Sequence, residues 1–213
     1  MLDLVFALSG NKIPADHGYF LHSALSGIFP VLHNLKQRGN TGVHPIYGIP
    51  CGKRMLALGG KSRLILRIPA DKVADYLELC GRQLEIGSEV ISVETPSSRK
   101  LRPAAALKSR LVTIKGFTSP HEFLDAAHRQ LQELNIRGKA HLIPRKDSLA
   151  SEGRSDNRET SPFIKRTISI KGKSIVGFAL VVTDLTADES LLLQISGLGG
   201  RRTMGCGIFV PAE

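Results

Sequence analysis

Four of the seven histidines of the chain lie in one stretch near its N-terminus, and they are His17, His22, His33 and His44. The imidazole side chain has a reference pKa of about 6.5, so it can take up or release a proton close to neutral pH. Passive binding of phosphate relies instead on the permanent charges of lysine and arginine. A concentration of imidazoles therefore favours proton-transfer catalysis over binding alone.

A second candidate segment, SGLGGRRTMGCGIFVP, combines glycines with two adjacent arginines. Its candidate binding residues are Gly197, Gly199, Gly200, Arg201, Arg202, Gly205 and Gly207. The segment lacks the GK[ST] ending of a P-loop, and it follows a predicted helix and precedes a strand, the reverse of a dinucleotide-binding fingerprint. We expect a loop that presents backbone N–H groups and guanidinium groups to phosphates. The alternative is a helix stop followed by a glycine-bearing turn.

The charge balance of the chain indicates an anionic partner. Among its 213 residues, 29 are Lys or Arg and 19 are Asp or Glu, which gives a net charge of +10. Such an excess favours nucleic acid or a membrane surface as partner, but no apolar run reaches the roughly 20 residues of a membrane span. The opening MLDLVFALSG lacks a basic leader and a cleavage site, and the three cysteines form no CxxC pair. We therefore expect a cytoplasmic protein with no metal site, no cofactor and no disulfide framework.

The histidines must be positioned by the secondary structure of the first half of the chain, whose predicted order is strand, helix, strands, helix, strand. Residues 2–8 form the first predicted strand, and the helix that follows runs to about Pro30, where it should break or kink. His22 and Ser26 share one face of this helix, and His33 falls on the same face if Pro30 only kinks it. On that condition the helix would present the imidazoles of His22 and His33 on one face.

The same order of elements repeats in the second half. Its two helices begin at predicted capping boxes, with Ser119 and Thr186 as N-caps, and CGIFV is the predicted last strand. The pattern predicts an α+β fold of two tandem ferredoxin-like domains, each a βαββαβ (RRM-like) unit, over residues 1–106 and 107–213.

The glycine-rich segment resembles the C-terminal signature of the Cas-six family of CRISPR-associated endoribonucleases, in the form G-L-G, five residues, G-C-G. The stretches IPADHGYFLHSALSG, LHN and GVHPIYG resemble the first helix and following loop of that family, and the similarity is greatest to its short myxan-type subgroup. The resemblance spans nearly the whole chain except residues 146–162. These are polar and lack apolar periodicity, and we expect them to form a mobile insertion in the second domain.

The resemblance implies an enzyme that cuts once in the repeat of a CRISPR precursor RNA. The family cleaves without metal, by attack of a ribose 2′-OH on the adjacent phosphate, and leaves a 2′,3′-cyclic phosphate and a 5′-OH. The implied partners are the precursor, the processed guide RNA and other subunits of a CRISPR effector. The alternative is a non-catalytic RNA-binding or scaffold subunit of such an effector.

The resemblance also ranks the four histidines as catalysts. The family usually carries its catalytic histidine in a Leu-His dipeptide just past the first helix, and His33 matches it. His44 ranks second because it lies in a glycine-flanked loop, where we expect a mobile, exposed imidazole. His17 and His22 follow, and each of the four could instead cap or pack. The chain departs from some relatives at Ser26, where they carry tyrosine.

Basic side chains near the histidines are candidates for contacts with the RNA backbone. Lys53, Arg54 and Lys36 lie in the basic loop that follows the first helix, where they could stabilise the charge on a phosphate. Arg63 and Arg67 share one face of an alternating strand and could contact RNA if that face is open. Aromatic residues make up only 5% of the chain, which argues against a reader that stacks bases along an open sheet.

Overall fold

The computed structural model describes residues 1–34, 39–145 and 161–212. The chain divides into two units. The first comprises Met1–Arg102, Ile168–Lys173 and Arg201–Cys206, and the second comprises Pro103–Thr167, Ser174–Gly200 and Gly207–Glu213. The domain boundary at residue 106 stays a prediction, and residues 146–160 of the predicted insertion lie outside the described residues.

The described residues of the first unit form two antiparallel sheets and two α-helices. Its strands are β1 Leu2–Ser9, β2 Lys12–Pro14, β3 Gly42–Val43, β4 Ile49–Pro50, β5 Met55–Ala57, β6 Arg63–Ile68, β7 Gln83–Ile86 and β8 Glu89–Lys100. Its helices are α1 Gly18–Ile28 and α2 Val73–Tyr76, with 3₁₀ helices at Pro30–His33, Ala70–Lys72 and Leu77–Leu79. The main sheet has the order β3-β6-β1-β8-β7, and the smaller sheet has the order β2-β5-β4. The succession β1-α1-β3-β6-α2-β8 is the βαββαβ pattern, as predicted.

Strand β1 lies in the middle of the main sheet and is covered on both faces. Leu4 lies opposite Leu66 of β6, and both side chains are buried in the hydrophobic core of this unit. Asp3 precedes Leu4, so its side chain points to the other face of the sheet. It lies opposite Arg67, and both of these charged residues are also buried.

Helix α1 packs on this core through apolar residues one turn apart. Leu21 and Leu25 are fully buried among the core residues, as their i, i+4 spacing predicts. The α-helix ends before Phe29, and Pro30 opens the 3₁₀ helix that carries His33. Because proline cannot donate the hydrogen bond that an α-helix requires, the predicted break at Pro30 is confirmed.

The sheet of the second half repeats the same pattern. Its elements are β9 Leu107–Val112, α3 Pro120–Glu133, β10 Lys139–Leu142, β11 Lys165–Ile170, β12 Lys173–Thr183, α4 Ala187–Ser196 and β13 Val210–Pro211, with a 3₁₀ helix at Arg202–Met204. The sheet order is β10-β12-β9-β13, with β11 paired to β12. The succession β9-α3-β10-β12-α4-β13 is a second βαββαβ unit, so the predicted α+β fold with two ferredoxin-like units is confirmed.

Two local predictions for this half are wrong. The capping box at Thr186 is present, but Ser119 makes no capping bond, because its hydroxyl donates to the carboxylate of Glu122 at 2.6 Å. The last strand is shorter than CGIFV and begins only at Val210, because the backbone turns at Gly207, where φ is 64°. No helix in the described ranges is both long and apolar enough to cross a membrane.

Candidate active site

Helix α1 and the 3₁₀ helix after it bring two histidines together. The ring of His33 lies edge-on to that of His22, with 5.4 Å between ring centroids. Ser26, one turn after His22, places its Oγ 3.4 Å from His22 Nδ1. His33 is exposed and His22 is 7% exposed. The two imidazoles are therefore adjacent although Pro30 ends the α-helix instead of only kinking it, and the pair offers one exposed imidazole beside a nearly buried one.

His17 is buried and connects the start of α1 to a distant loop. Its Nε2 accepts a hydrogen bond from the backbone N–H of Ile46 at 2.9 Å. Its Nδ1 lies 2.9 Å from the carbonyl oxygen of Pro14 and donates to it, since Nε2 is the acceptor. Both ring nitrogens are occupied within the protein. We therefore assign His17 a structural role.

A buried carboxylate, Asp3, gathers three basic side chains. Arg67 binds it with two hydrogen bonds, from Nε to Oδ1 at 2.8 Å and from Nη2 to Oδ2 at 3.1 Å. Arg99 Nη2 lies 3.3 Å from Oδ2, and His44 Nε2 lies 3.5 Å from Oδ1. Arg67 is only 1% exposed. We call Asp3, His44, Arg67 and Arg99 the Asp3 cluster.

The Asp3 cluster corrects two expectations. His44 is not an exposed, mobile imidazole but is 4% exposed, and the strand face that carries Arg67 is not open at that position. The physical reason is Asp3, a carboxylate buried in the middle of the sheet that must be paired to be stable there. The signal in the sequence was an acid inside the apolar strand LDLVFAL, because a charge in such a strand needs a buried partner.

The pKa values of Asp3 and His44 move in the same direction. Burial alone raises the pKa of the Asp3 carboxyl, but the hydrogen bonds and charges of His44 and Arg67 outweigh burial and hold it well below its usual range. Burial lowers the pKa of His44, and the neighbouring Asp3 carboxylate, which raises it, does not cancel this effect. His44 is therefore neutral and Asp3 ionised at pH 7.

Folding stability should fall when the pH drops below about 6.5, the reference value for histidine in an unfolded chain. His44 has a lower pKa when folded, so the unfolded chain binds its proton first, and each pH unit costs up to about 1.4 kcal/mol. Below about pH 4, where an unfolded aspartate becomes protonated, Asp3 adds a second loss of the same sign. Urea unfolding of the wild type and of His44→Gln, measured from pH 7.5 to 5, tests this. Equal slopes for the two proteins would contradict it.

The turn that carries the two predicted arginines, residues 201–206, belongs to the first unit. A Cβ on Gly18 would lie 2.4 Å from a carbonyl oxygen of this turn, so only glycine permits the close approach of the turn to α1. Arg202 is buried, and its Nη2 donates to the carbonyl oxygen of Asn40 at 3.3 Å. Arg201 is half-buried, with a left-handed backbone at φ 64°. Of the pair, Arg201 has the greater access to a ligand.

The backbone N–H groups of the glycine-rich segment are used inside the protein. Those of Gly199, Gly200 and Gly207 donate to Gln130 Oε1 and to the carbonyl oxygens of Thr113 and Leu111, at 2.7, 2.9 and 2.8 Å. The remaining two, of Gly197 and Gly205, donate to the carbonyl oxygens of Leu193 and Arg202. The expectation that these groups face phosphates is therefore wrong, because each already donates within the protein. The role of these glycines is to allow the backbone turns between α4 and β13, where four of them have a positive φ.

The other predicted basic residues differ in accessibility. Lys53 and Arg54 are exposed, whereas Arg63 is half-buried and its Nη1 donates to the carbonyl oxygens of Gly60 and Ser62. Lys36 lies outside the described residues. Among the residues that are described, no group of three or more His, Cys, Asp and Glu side chains is arranged to hold a metal ion.

Comparisons with known proteins assign the family. The model of the Cas6 CRISPR family matches residues 2–213. The curated CRISPR-associated endonuclease Cas6 of Myxococcus xanthus (strain DK1622) is 37% identical over 210 residues, which are 99% of this chain and 81% of that protein.

Two solved structures share the fold. A CRISPR-associated protein Cas6 aligns with a TM-score of 0.67 at 14% identity and covers 100% of this chain and 99% of its own. A Cas6-related protein from Pyrococcus furiosus aligns with a TM-score of 0.66 at 15% identity and covers 100% and 98%. With the family match over nearly every residue and the M. xanthus relative, the chain belongs to the Cas6 family of CRISPR-associated proteins.

Proposed function

We propose that the chain is an endoribonuclease that cuts CRISPR repeat RNA without a metal ion, by attack of a ribose 2′-OH on the adjacent phosphate. The observation that carries the proposal is the exposed imidazole of His33 beside His22, at 5.4 Å between ring centroids. Its family, and a relative named as a CRISPR-associated endonuclease, support the same activity. The products are a 2′,3′-cyclic phosphate and a 5′-OH.

The reaction needs three groups, and the site offers candidates for each. A base must accept the proton of the attacking 2′-OH, an acid must protonate the leaving 5′ oxygen, and positive charge must stabilise the phosphate. His33 is the principal proton carrier because it is exposed. His22, whose Nδ1 lies 3.4 Å from Ser26 Oγ, orients His33 or relays its proton. Arg201 contacts the RNA backbone.

The proposed substrate is the precursor transcript, and the processed guide RNA is the product. A net charge of +10 suits binding to the phosphates of either RNA. The alternative, a subunit that binds RNA in a CRISPR effector without cutting it, requires the same charge but no accessible imidazole. Exposure of His33 therefore favours catalysis.

Two changes test the mechanism in one cleavage assay. EDTA should leave the rate unchanged, and a single 2′-deoxy substitution at the nucleotide upstream of the cut should stop cleavage while RNA binding stays nearly intact. The same RNA with the 2′-deoxy group one nucleotide further upstream is the matched control and should be cut normally. Loss of cleavage in EDTA, or cutting of the 2′-deoxy RNA, would contradict the mechanism, and binding without any cutting would favour the scaffold alternative.

Arg201→Asn should flatten the salt dependence of RNA binding. Removing one phosphate contact lowers the slope of log K against log salt by about 0.7 to 0.9, and asparagine tolerates the left-handed backbone at this position. The control is Arg82→Gln, since Arg82 is exposed and pairs with Glu78. The measurement is the RNA affinity of each protein at several salt concentrations. An unchanged slope for Arg201→Asn would show that this side chain does not contact RNA.

A further inference from the structure

A cavity in the first unit lies between the start of α1, the turn before β5 and the tip of the β11–β12 hairpin. Its volume is about 470 Å³, within the usual range for small-molecule and cofactor sites. The backbone N–H of Ser169 in the hairpin donates to Asp16 Oδ2 at 2.8 Å, which holds the hairpin against the residues before α1. A hydrogen bond within the protein therefore joins two of the walls of the cavity.

Three cationic side chains line this cavity, and they are Lys53, Arg54 and Lys171. All three are exposed, and none of them makes an ion pair with the described part of the chain. The only carboxylate in the lining is that of Asp16. With three cations and one carboxylate in its lining, the cavity carries an excess of positive charge.

The backbone at these three cations is unusual. Lys53, Arg54 and Lys171 have φ values of 45°, 57° and 49°, in the left-handed region that non-glycine residues rarely adopt. Lys53 and Arg54 are the two central residues of a turn closed by the bond from Met55 N–H to the carbonyl of Gly52 at 2.8 Å. Turns of this kind favour Asn and Gly at their centre. The chain carries charge at positions where neutral residues would fold more easily, which indicates that the charge serves a ligand.

Two aromatic rings complete the lining. Tyr19 and Phe20 lie on the first turn of α1, with 6.3 Å between their centroids and an interplanar angle of 57°. Phe20 is 42% exposed, although large apolar side chains are usually buried. An exposed ring beside cations suits a ligand that has both a flat aromatic face and a phosphate.

We propose that this cavity binds one unpaired nucleotide of the RNA, with its base on Phe20 and its phosphate on Lys53, Arg54 and Lys171. The inference rests on the proposed function, because it takes the substrate to be RNA. A base within a duplex is stacked on its neighbours and cannot present its face to a side chain, so the nucleotide must be unpaired. The cavity thereby selects for a single-stranded position in the repeat.

The test separates the phosphate contacts from folding. Lys53→Asn/Arg54→Gly gives the turn the residues it favours, so we expect an unfolding midpoint at or above that of the wild type. RNA affinity should nevertheless fall at least tenfold, and the salt slope should flatten by about 1.4 to 1.8, two contacts at 0.7 to 0.9 each. The matched control is Lys72→Asn/Arg82→Gln, which removes two exposed cations that are paired with Asp75 and Glu78, and it should bind as the wild type does.

The base contact is tested with 2-aminopurine placed at each unpaired position of an RNA blocked by 2′-deoxy at the cut. At one of these positions, the fluorescence of 2-aminopurine should change when the wild-type protein binds. The same probe should show no change when the Phe20→Ala variant binds. Wild-type affinity and slope for the turn variant, or no position that depends on Phe20, would overturn the inference. Because neither measurement needs cleavage, wild-type protein that binds but fails to cut would overturn the proposed function alone.

Discussion

His33→Ala should lower the single-turnover rate of repeat cleavage by about 10²- to 10⁴-fold, the usual contribution of general acid–base catalysis. His33 is exposed, so its removal takes away a proton carrier without opening a cavity in the core. RNA affinity should stay nearly unchanged, because binding of phosphate relies mainly on lysine and arginine side chains. Rates with saturating protein, together with affinities for the uncleavable 2′-deoxy RNA, measure the two effects separately.

Two other histidines serve as controls for this prediction. His121→Ala removes another exposed imidazole, on α3, and should cut at the wild-type rate. His44→Ala should lower the free energy of unfolding, because His44 is buried against Asp3. If His44→Ala remained stably folded and lost cleavage while His33→Ala kept it, the assignment of the catalytic residue would be wrong.

Asp3→Asn should destabilise the fold by about 3 to 5 kcal/mol, the cost of removing one partner of a buried ion pair. The amide keeps the size of the carboxylate but leaves the guanidinium of Arg67, 1% exposed, without its counter-charge. Urea denaturation at pH 7 measures the loss as a lower midpoint. Glu78→Gln is the exposed counterpart, since Glu78 pairs with Arg82 at the surface, and it should cost less than about 1 kcal/mol.

A double variant distinguishes the missing charge from a general disturbance of β1. In Asp3→Asn/Arg67→Met the unpaired buried cation is also removed, so much of the lost stability should return, because apolar replacements of buried pairs are often neutral. A double variant as unstable as the sum of its two single variants would show that the two side chains act independently. The pairing of Asp3 with Arg67 would then not explain the stability lost in Asp3→Asn.

The main elements could be predicted because their signals are local. The spacing of Leu21 and Leu25, the break at Pro30 and the capping box at Thr186 each depend on residues a few positions apart. The adjacency of His22 and His33 was expected only if Pro30 kinked α1, and the structure reaches it through a separate 3₁₀ helix that follows the break at Pro30. The apolar run of residues 2–8 and the alternation along β6 similarly predicted strands, though not what their second faces would bury.

The environments of the other histidines could not be predicted, because their partners are remote in sequence. His17 is fixed by the N–H of Ile46, and His44 lies beside Asp3, 41 positions earlier. The glycine N–H groups were misassigned for the same reason, since Gln130 and Thr113, which accept two of them, belong to other elements. Patterns within a segment define its conformation, but which polar groups remain available depends on the completed fold.

The first unit includes two segments that are synthesised long after its N-terminal part. Arg201–Cys206 and Ile168–Lys173 belong to it, although Met1–Arg102 supply most of its strands. Domains usually fold in order of synthesis, N-terminal first, but here the close approach of the late turn to Gly18 can form only after residues 201–206 have been translated. The first unit can therefore complete its packing only after most of the second unit has been synthesised.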